Sequence, residues 1–166
     1  MTKQESLAQF LKLLGENKTL SAKHLNEVQT AVDSAINDPD GYFHKHKSDF
    51  ENRGISEARE DLFQFVLLNG LIEAKLAAEI DWKTEWEDVA WNIENISGEK
   101  NFDEPANTEE TEASLKAISK QLQDRHKYLV RWEMDSDSYV VFVVEEKSLE
   151  NIMELGNAFG ITVSSL

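Results

Sequence analysis

Two stretches of the chain hold residues whose types and spacing could do chemistry. The first is His44-x-His46 followed by Asp49, the only concentration of side chains with metal-ligand character. On a helix, His46 and Asp49 are i, i+3 neighbours while His44 and His46 diverge by about 200°. Three ligands converge only if the segment is a loop or strand, where i and i+2 share a face. Lys45 and Lys47 interleave with them and disfavour a cation. His44, His46 and Asp49 are therefore weak metal candidates, and no metal or other cofactor is predicted. The second stretch is Asp81, Trp82, Glu85, Trp86, Glu87, Asp88 and Trp91, the densest mixture of aromatic and acidic residues in the chain. Interfaces draw energy from buried Trp anchors and selectivity from complementary charge. Trp82 and Trp86, spaced i, i+4, read as core residues, whereas Trp91 falls about 140° around a helix from Trp86 and off its stripe. Glu85, Glu87, Asp88, Trp91 and Glu94 are the predicted partner-binding residues.

Other chemistry is excluded by what the sequence lacks. With no Cys there are no disulfides, thiolate nucleophiles, Cys-ligated zinc or iron–sulfur clusters. There is no Ser-centred nucleophile elbow, phosphate-cradling glycine loop or zinc-protease helix. With 32 Asp and Glu in 166 residues, a pair at glycosidase-like spacing would occur by abundance alone and nominates nothing. His24 and His126 stand apart, at a helix flank and a helix end. No catalytic residue is assigned, and the chain is expected not to be an enzyme. The alternative class is a metal-dependent enzyme or small-molecule-binding domain built on His44, His46 and Asp49.

Charge supplies the positive clue. The 17 Lys and Arg against 32 Asp and Glu give a net charge of −15, which repels nucleic acid and anionic membranes. Residues 1–54 carry 7 basic and 8 acidic groups, residues 55–112 carry 4 and 16, and residues 113–166 carry 6 and 8. Four fifths of the imbalance thus lies in the middle third. A concentrated one-signed field accelerates encounter with an oppositely charged partner by a factor of about 10 to 1,000. A basic protein is the expected partner, and the chain itself is expected to be a monomer or homodimer.

The elements that must position these groups follow from periodicity. Leu7, Phe10, Leu11 and Leu14 predict an amphipathic helix ending near Gly15. Such spacing is not that of a secretory apolar block, and the cytoplasm is the expected compartment. Ser21 caps a second helix to about Asn37, and Asp38-Pro39-Asp40-Gly41 forces a turn before a weaker helix over 42–52. Ser56 is predicted to cap a helix to about Glu79, apolar on most sides over 62–72 and so central to the core. Gly70 within it marks either a close approach or a division of the helix. Thr84-x-x-Glu87 reads as a capping box opening a helix with Trp86, Val89, Ala90 and Ile93 inward. Residues 97–107 form a linker, and Thr108 caps a helix to about His126. Alternation over 128–134 and a fully apolar run over 139–144 predict a hairpin whose second strand is central, then a helix over 147–159 and a short strand at 161–163. The fold class is α+β: a mainly helical body over 1–104 with an α-β-β-α-β tail over 105–166 packed on it as one globular unit. A right-handed crossover is expected to give the tail a small mixed sheet.

Arg53-Gly54-Ile55, Ile80-Asp81-Trp82-Lys83, Glu87-Asp88 with Trp91, and Ser138-Tyr139-Val140-Val141-Phe142-Val143-Val144 together resemble an uncharacterised bacterial family, domain of unknown function 6630. The likeness covers most of the chain, rests on structural signatures, and implies no catalytic residue. In general character, small, acidic, Cys-free and with Trp-rich acidic helices, the chain is also similar to immunity proteins that neutralise secreted toxins. That second likeness implies an inhibitor masking the active site of a basic bacterial toxin or another cationic protein.

Overall fold

Local signals set the helix starts at the N-terminal end. The computed structural model describes residues 1–16, 18 and 20–166. Helix α1 (Lys3–Gly15) opens on a capping box in which Thr2 Oγ1 accepts from the Glu5 N–H at 3.1 Å and the Glu5 carboxylate accepts from the Thr2 N–H at 2.6 Å. Ser21 caps α2 (Ala22–Asn37) by accepting from the His24 N–H at 3.2 Å. Asp38-Pro39-Asp40-Gly41 breaks the helix as expected, with Asp38 at φ −141° and ψ 75°, but residues 39–41 form the first turn of the next helix rather than a loop. Asp38 accepts from the Gly41 N–H at 3.0 Å, and Pro39 takes a first-turn position where its missing N–H costs nothing. The weak helix expected over 42–52 is two short ones, α3 (Pro39–Lys45) and α4 (Lys47–Asn52).

Helix α5 (Leu62–Glu73) is the central core helix, with Leu62, Leu67, Leu68 and Leu71 fully buried. Gly70 is a point of close approach: a Cβ there would lie 2.8 Å from a Val28 methyl of α2. The helix is shorter than the 56–79 span expected. It ends in a Schellman motif, in which Leu76 N–H bonds to Leu71 O at 2.8 Å and Lys75 N–H to Ile72 O at 2.9 Å. Lys75 holds the left-handed position (φ 56°) that glycine ordinarily takes, so the stop carries no glycine signal. Beyond it the chain forms strand β1 (Ala77–Asp81).

Helix α6 (Trp86–Ser97) and helix α7 (Thr111–Gln123) follow, then β2 (Lys127–Glu133), β3 (Ser138–Glu145), α8 (Leu149–Phe159) and β4 (Thr162–Ser165). Neither expected cap forms on α6 or α7: their N-caps are Glu85 and Glu110, without side-chain cap bonds, and the Thr108 hydroxyl donates to Glu104 instead. The α-β-β-α-β order of the tail stands, and the fold is α+β. The sheet is antiparallel throughout rather than mixed, in the order β1-β3-β2-β4. Strand β1 occupies the free side of β3, so β4 pairs antiparallel with β2 on the far side instead of parallel with β3.

Strand β3 is interior, as its unbroken apolar run requires, and its two faces feed two cores. Val140, Phe142 and Val144 pack with Val130, Trp132 and the apolar stripes of α1, α2, α5 and α8. There Phe10 meets Phe142 and Phe159 edge to face, at 5.8 and 5.0 Å between ring centres. On the opposite face Val141 packs with Ala78, Ile80, Leu129 and the inward stripes of α6 and α7. Helices α6 and α7 therefore cover one side of the sheet and the remaining core helices the other. Among the described residues no helix is long and apolar enough to cross a membrane.

Candidate functional site

Helix α6 lies under β1 with Trp86, Val89, Ile93 and Ile96 buried, which fixes what its other face presents. Glu85, Glu87 and Asp88 are exposed, and Trp91 stands out from the surface at 63% exposure. None of those three carboxylates forms an ion pair among the described residues. Glu94 differs from them: it pairs with Lys100 at 3.6 Å and accepts from the Asn101 N–H at 3.3 Å, so it anchors the loop after α6 rather than facing outward unengaged.

Of the two Trp read as core, Trp86 is buried at 7% exposure, whereas Trp82 is 54% exposed, with Lys83 Nζ 4.6 Å from its ring centre. The i, i+4 spacing does not apply to this pair, because Trp82 lies in the turn before α6 and not on the helix. The turn is held from α7: the buried Thr111 hydroxyl lies 2.7 Å from the Trp82 carbonyl and 2.9 Å from that of Thr84. This tether brings exposed Glu109 and Glu110 beside the Trp82 turn. Sequence reading missed Trp82, Glu109 and Glu110 as members of this face. Joining 109–111 to 82–84 is a tertiary contact with no local pattern behind it.

The charge of the region is mostly uncompensated. Of the 16 carboxylates between residues 55 and 112, Asp61, Glu79, Glu94, Glu99 and Glu112 form ion pairs within the described chain and the other 11 do not. Glu79 is held by Arg53 at 3.1 Å, and Arg53 also donates to Asn69 at 2.9 Å. Glu99 accepts from Lys127 at 2.9 Å and Arg125 at 3.2 Å. These paired groups fasten elements together, while Asp81, Glu85, Glu87, Asp88, Glu109 and Glu110 are left exposed on the α6 side.

The imidazole candidates part company. His44 lies exposed on α3, whereas His46 and Asp49 line a cleft of about 210 Å³ where α2, α4 and α5 meet. The segment is helical, so the condition for three ligands to converge is not met, and no group of three or more His, Asp or Glu among the described residues is placed to hold a metal ion. The cleft has an apolar floor of Val28, Phe50 and Val66. Tyr42 stacks on His46 at 4.4 Å, and burial, with the nearby Asp49 charge, pushes the Tyr42 hydroxyl up from its usual pKa. His24 Nε2, at the same cleft, is buried without a hydrogen-bond partner among the described residues. In the sequence His24 stands at a helix flank, where solvation or a dipole contact explains it, and nothing local links it to His46.

Neither the curated proteins nor the solved structures contain a match to this chain. Residues 6–166 match a domain of unknown function, DUF6630, the family whose signatures are placed above at the α4–α5 connection, β1, α6 and β3. Because that match takes in nearly the whole chain, the protein belongs to the DUF6630 family.

Proposed function

We propose that this protein is a non-enzymatic acidic interaction module that binds and masks a basic protein partner. An immunity-type inhibitor of a basic toxin is the concrete form. In that form Glu85, Glu87 and Asp88 enter the partner's cationic substrate groove and Trp91 anchors the rim, with Glu94 at the edge of the contact. The observation that carries the reading is the union of two exposed Trp with a run of carboxylates left without counter-ions on one side of the fold. An aromatic anchor supplies affinity, and an uncompensated field supplies encounter rate and selectivity. A cytoplasmic setting belongs to this reading.

The test compares wild type with an E85Q/E87Q/D88N variant. Basic proteins retained by each on an affinity column are identified by mass spectrometry, and association rates of any retained protein are measured across salt concentrations. The triple variant is expected to associate about tenfold or more slowly at low salt and with a flatter salt dependence. Equal rates for the two proteins would reject this face as the binding surface.

A second reading, a small-molecule-binding domain, is favoured by the unpartnered His24 Nε2 in the cleft with His46 and Asp49. A thermal shift with a small ligand that H24A abolishes would carry it, and no shift with any member of a small-molecule panel would count against it.

A further inference from the structure

We infer that the cleft between α2, α4 and α5 binds a short linear diamine, each ammonium group on a carboxylate of a different helix and the methylenes on the apolar floor. The inference rests on the small-molecule reading of this cleft and names the ligand class. It does not depend on the acidic face of α6.

Close packing builds the cleft. Gly70 lets α5 approach α2, since a Cβ there would lie 2.8 Å from a Val28 methyl, and both residues line the cleft. The step from α3 to α4 supplies the remaining wall, where Tyr42 stacks on His46 at 4.4 Å and holds that ring in place. A volume of about 210 Å³ falls below the roughly 300 to 1,000 Å³ of sites for drug-sized ligands, so the occupant is small.

Charge selects its class. Glu27 of α2, Asp49 of α4 and Glu73 of α5 line the cleft and are exposed, and among the described residues no Lys or Arg lines it. Asp49 and Glu73 form no ion pair among the described residues, and Glu27 forms only a solvent-exposed one with Lys23 at 3.9 Å. The neighbouring cations are engaged elsewhere. Lys47 pairs with Glu51 at 3.7 Å, and Arg53, which reaches the lining residue Asn69, pairs with Glu79 at 3.1 Å. An anion would therefore meet three carboxylates with nothing to oppose them. A metal ion is too compact, because these groups stand on three separate helices and no three His, Asp or Glu among the described residues converge on one point. A dication whose charges are separated by carbon matches carboxylates held apart around a floor of Val28, Phe50 and Val66.

Two further groups face the occupant. Burial, and after it the Asp49 charge, raises the Tyr42 pKa, so the field of that carboxylate is felt at the cleft wall. His24 Nε2 is buried at the wall without a partner among the described residues, and in the tautomer protonated at Nδ1 it is an acceptor. A turn of the partly buried His24 ring toward the cleft gives it an ammonium N–H as donor. The ammonium groups stay at the rim, where water still reaches them. Exposed pairs of this kind strengthen binding by at most about fivefold each, so both ends must engage.

Diaminobutane, diaminopentane and diaminohexane with terminal amino groups are titrated to millimolar concentration into the full chain at low salt, with backbone amides and His rings followed by NMR. Butylamine, with one charge on a similar chain, and magnesium, with two charges and no chain, are the controls. One or more of the diamines is expected to saturate a single site, to shift residues of the cleft, and to bind about fivefold tighter than butylamine. D49N/E73Q should weaken that diamine about tenfold, whereas E85Q/E87Q/D88N, on the other side of the sheet, should leave its affinity unchanged. Equal binding of butylamine, the same shifts with magnesium, shifts centred on α6, undiminished affinity in D49N/E73Q, or no binding at millimolar concentration would each overturn the inference. Should D49N/E73Q fail to fold, the wild-type shift map and the butylamine ratio decide it. A different small molecule whose thermal shift H24A abolishes, with no diamine bound, would overturn the diamine while leaving the small-molecule reading in place.

Discussion

Glu99 shows how a single carboxylate is made structural in a molecule rich in carboxylates. The hydrogen bond from Lys127, with a further one from Arg125, holds its pKa below the usual glutamate value against the opposing pull of desolvation. A depressed folded-state pKa contributes stability above the unfolded value, and that contribution is lost as pH falls through the folded value. E99Q should therefore melt below wild type at neutral pH, and the gap between the two should close as the solution is taken from roughly pH 6 to pH 3. Circular-dichroism melts of both proteins over that range measure this, and parallel slopes would remove Glu99 from the account. Other residues were only partly legible in the sequence. The departure of Trp91 from the buried stripe followed from its angle to Trp86, but the exposure of Trp82 did not, because a residue just outside a helix does not obey the helix's periodicity. Lys75 in the left-handed region is invisible for the opposite reason: its side chain has no bias toward the conformation the fold imposes.

At the scale of elements, the contact of α2 with α5 depends on one missing methyl group. A Cβ on Gly70 would lie 2.8 and 2.9 Å from the two Val28 methyls, and a β-branched side chain in a helix has little rotamer freedom with which to yield. G70A is expected to destabilise the protein by about 1 to 3 kcal/mol through overpacking, despite the ~1 kcal/mol that alanine gains in helix propensity. Adding V28A should recover a measurable part of the loss. Urea denaturation midpoints of the single and double variants decide it, and a G70A midpoint at or above wild type would refute the packing argument. Strand β1 is the element that local reading converts into helix. Glu73-Ala74-Lys75-Leu76-Ala77-Ala78-Glu79 consists of good helix formers, and the unpaired side of β3 outweighs that preference by giving the segment a ladder and two buried faces.

At the scale of the whole molecule, a net charge of −15 opposes compaction, since most carboxylates of the middle third have no counter-ion partner among the described residues. Raising the ionic strength from about 0.01 to 0.15 M shortens the screening length from about 30 to 8 Å. The melting temperature is expected to rise over that interval, because long-range repulsion is screened more than the few contact pairs are weakened. A falling melting temperature in a salt series would mean that the pairs dominate. The same salt that stabilises the fold should slow association with a basic partner, so the two responses have opposite signs.

Periodicity and composition alone determined the α+β class, the helical stripes, the central apolar strand, the acidic middle third and the absence of thiol chemistry. Each is a property of neighbouring residues or of a sum over residues. Only the tertiary structure decided that residues 77–81 are a strand, that the sheet is antiparallel, that Thr111 draws Glu109 and Glu110 to the Trp82 turn, and that His44 is separated from His46 and Asp49. These outcomes depend on which distant segment supplies a hydrogen-bond ladder or a packing face, and that competition is settled by burial across the whole chain rather than by local preference.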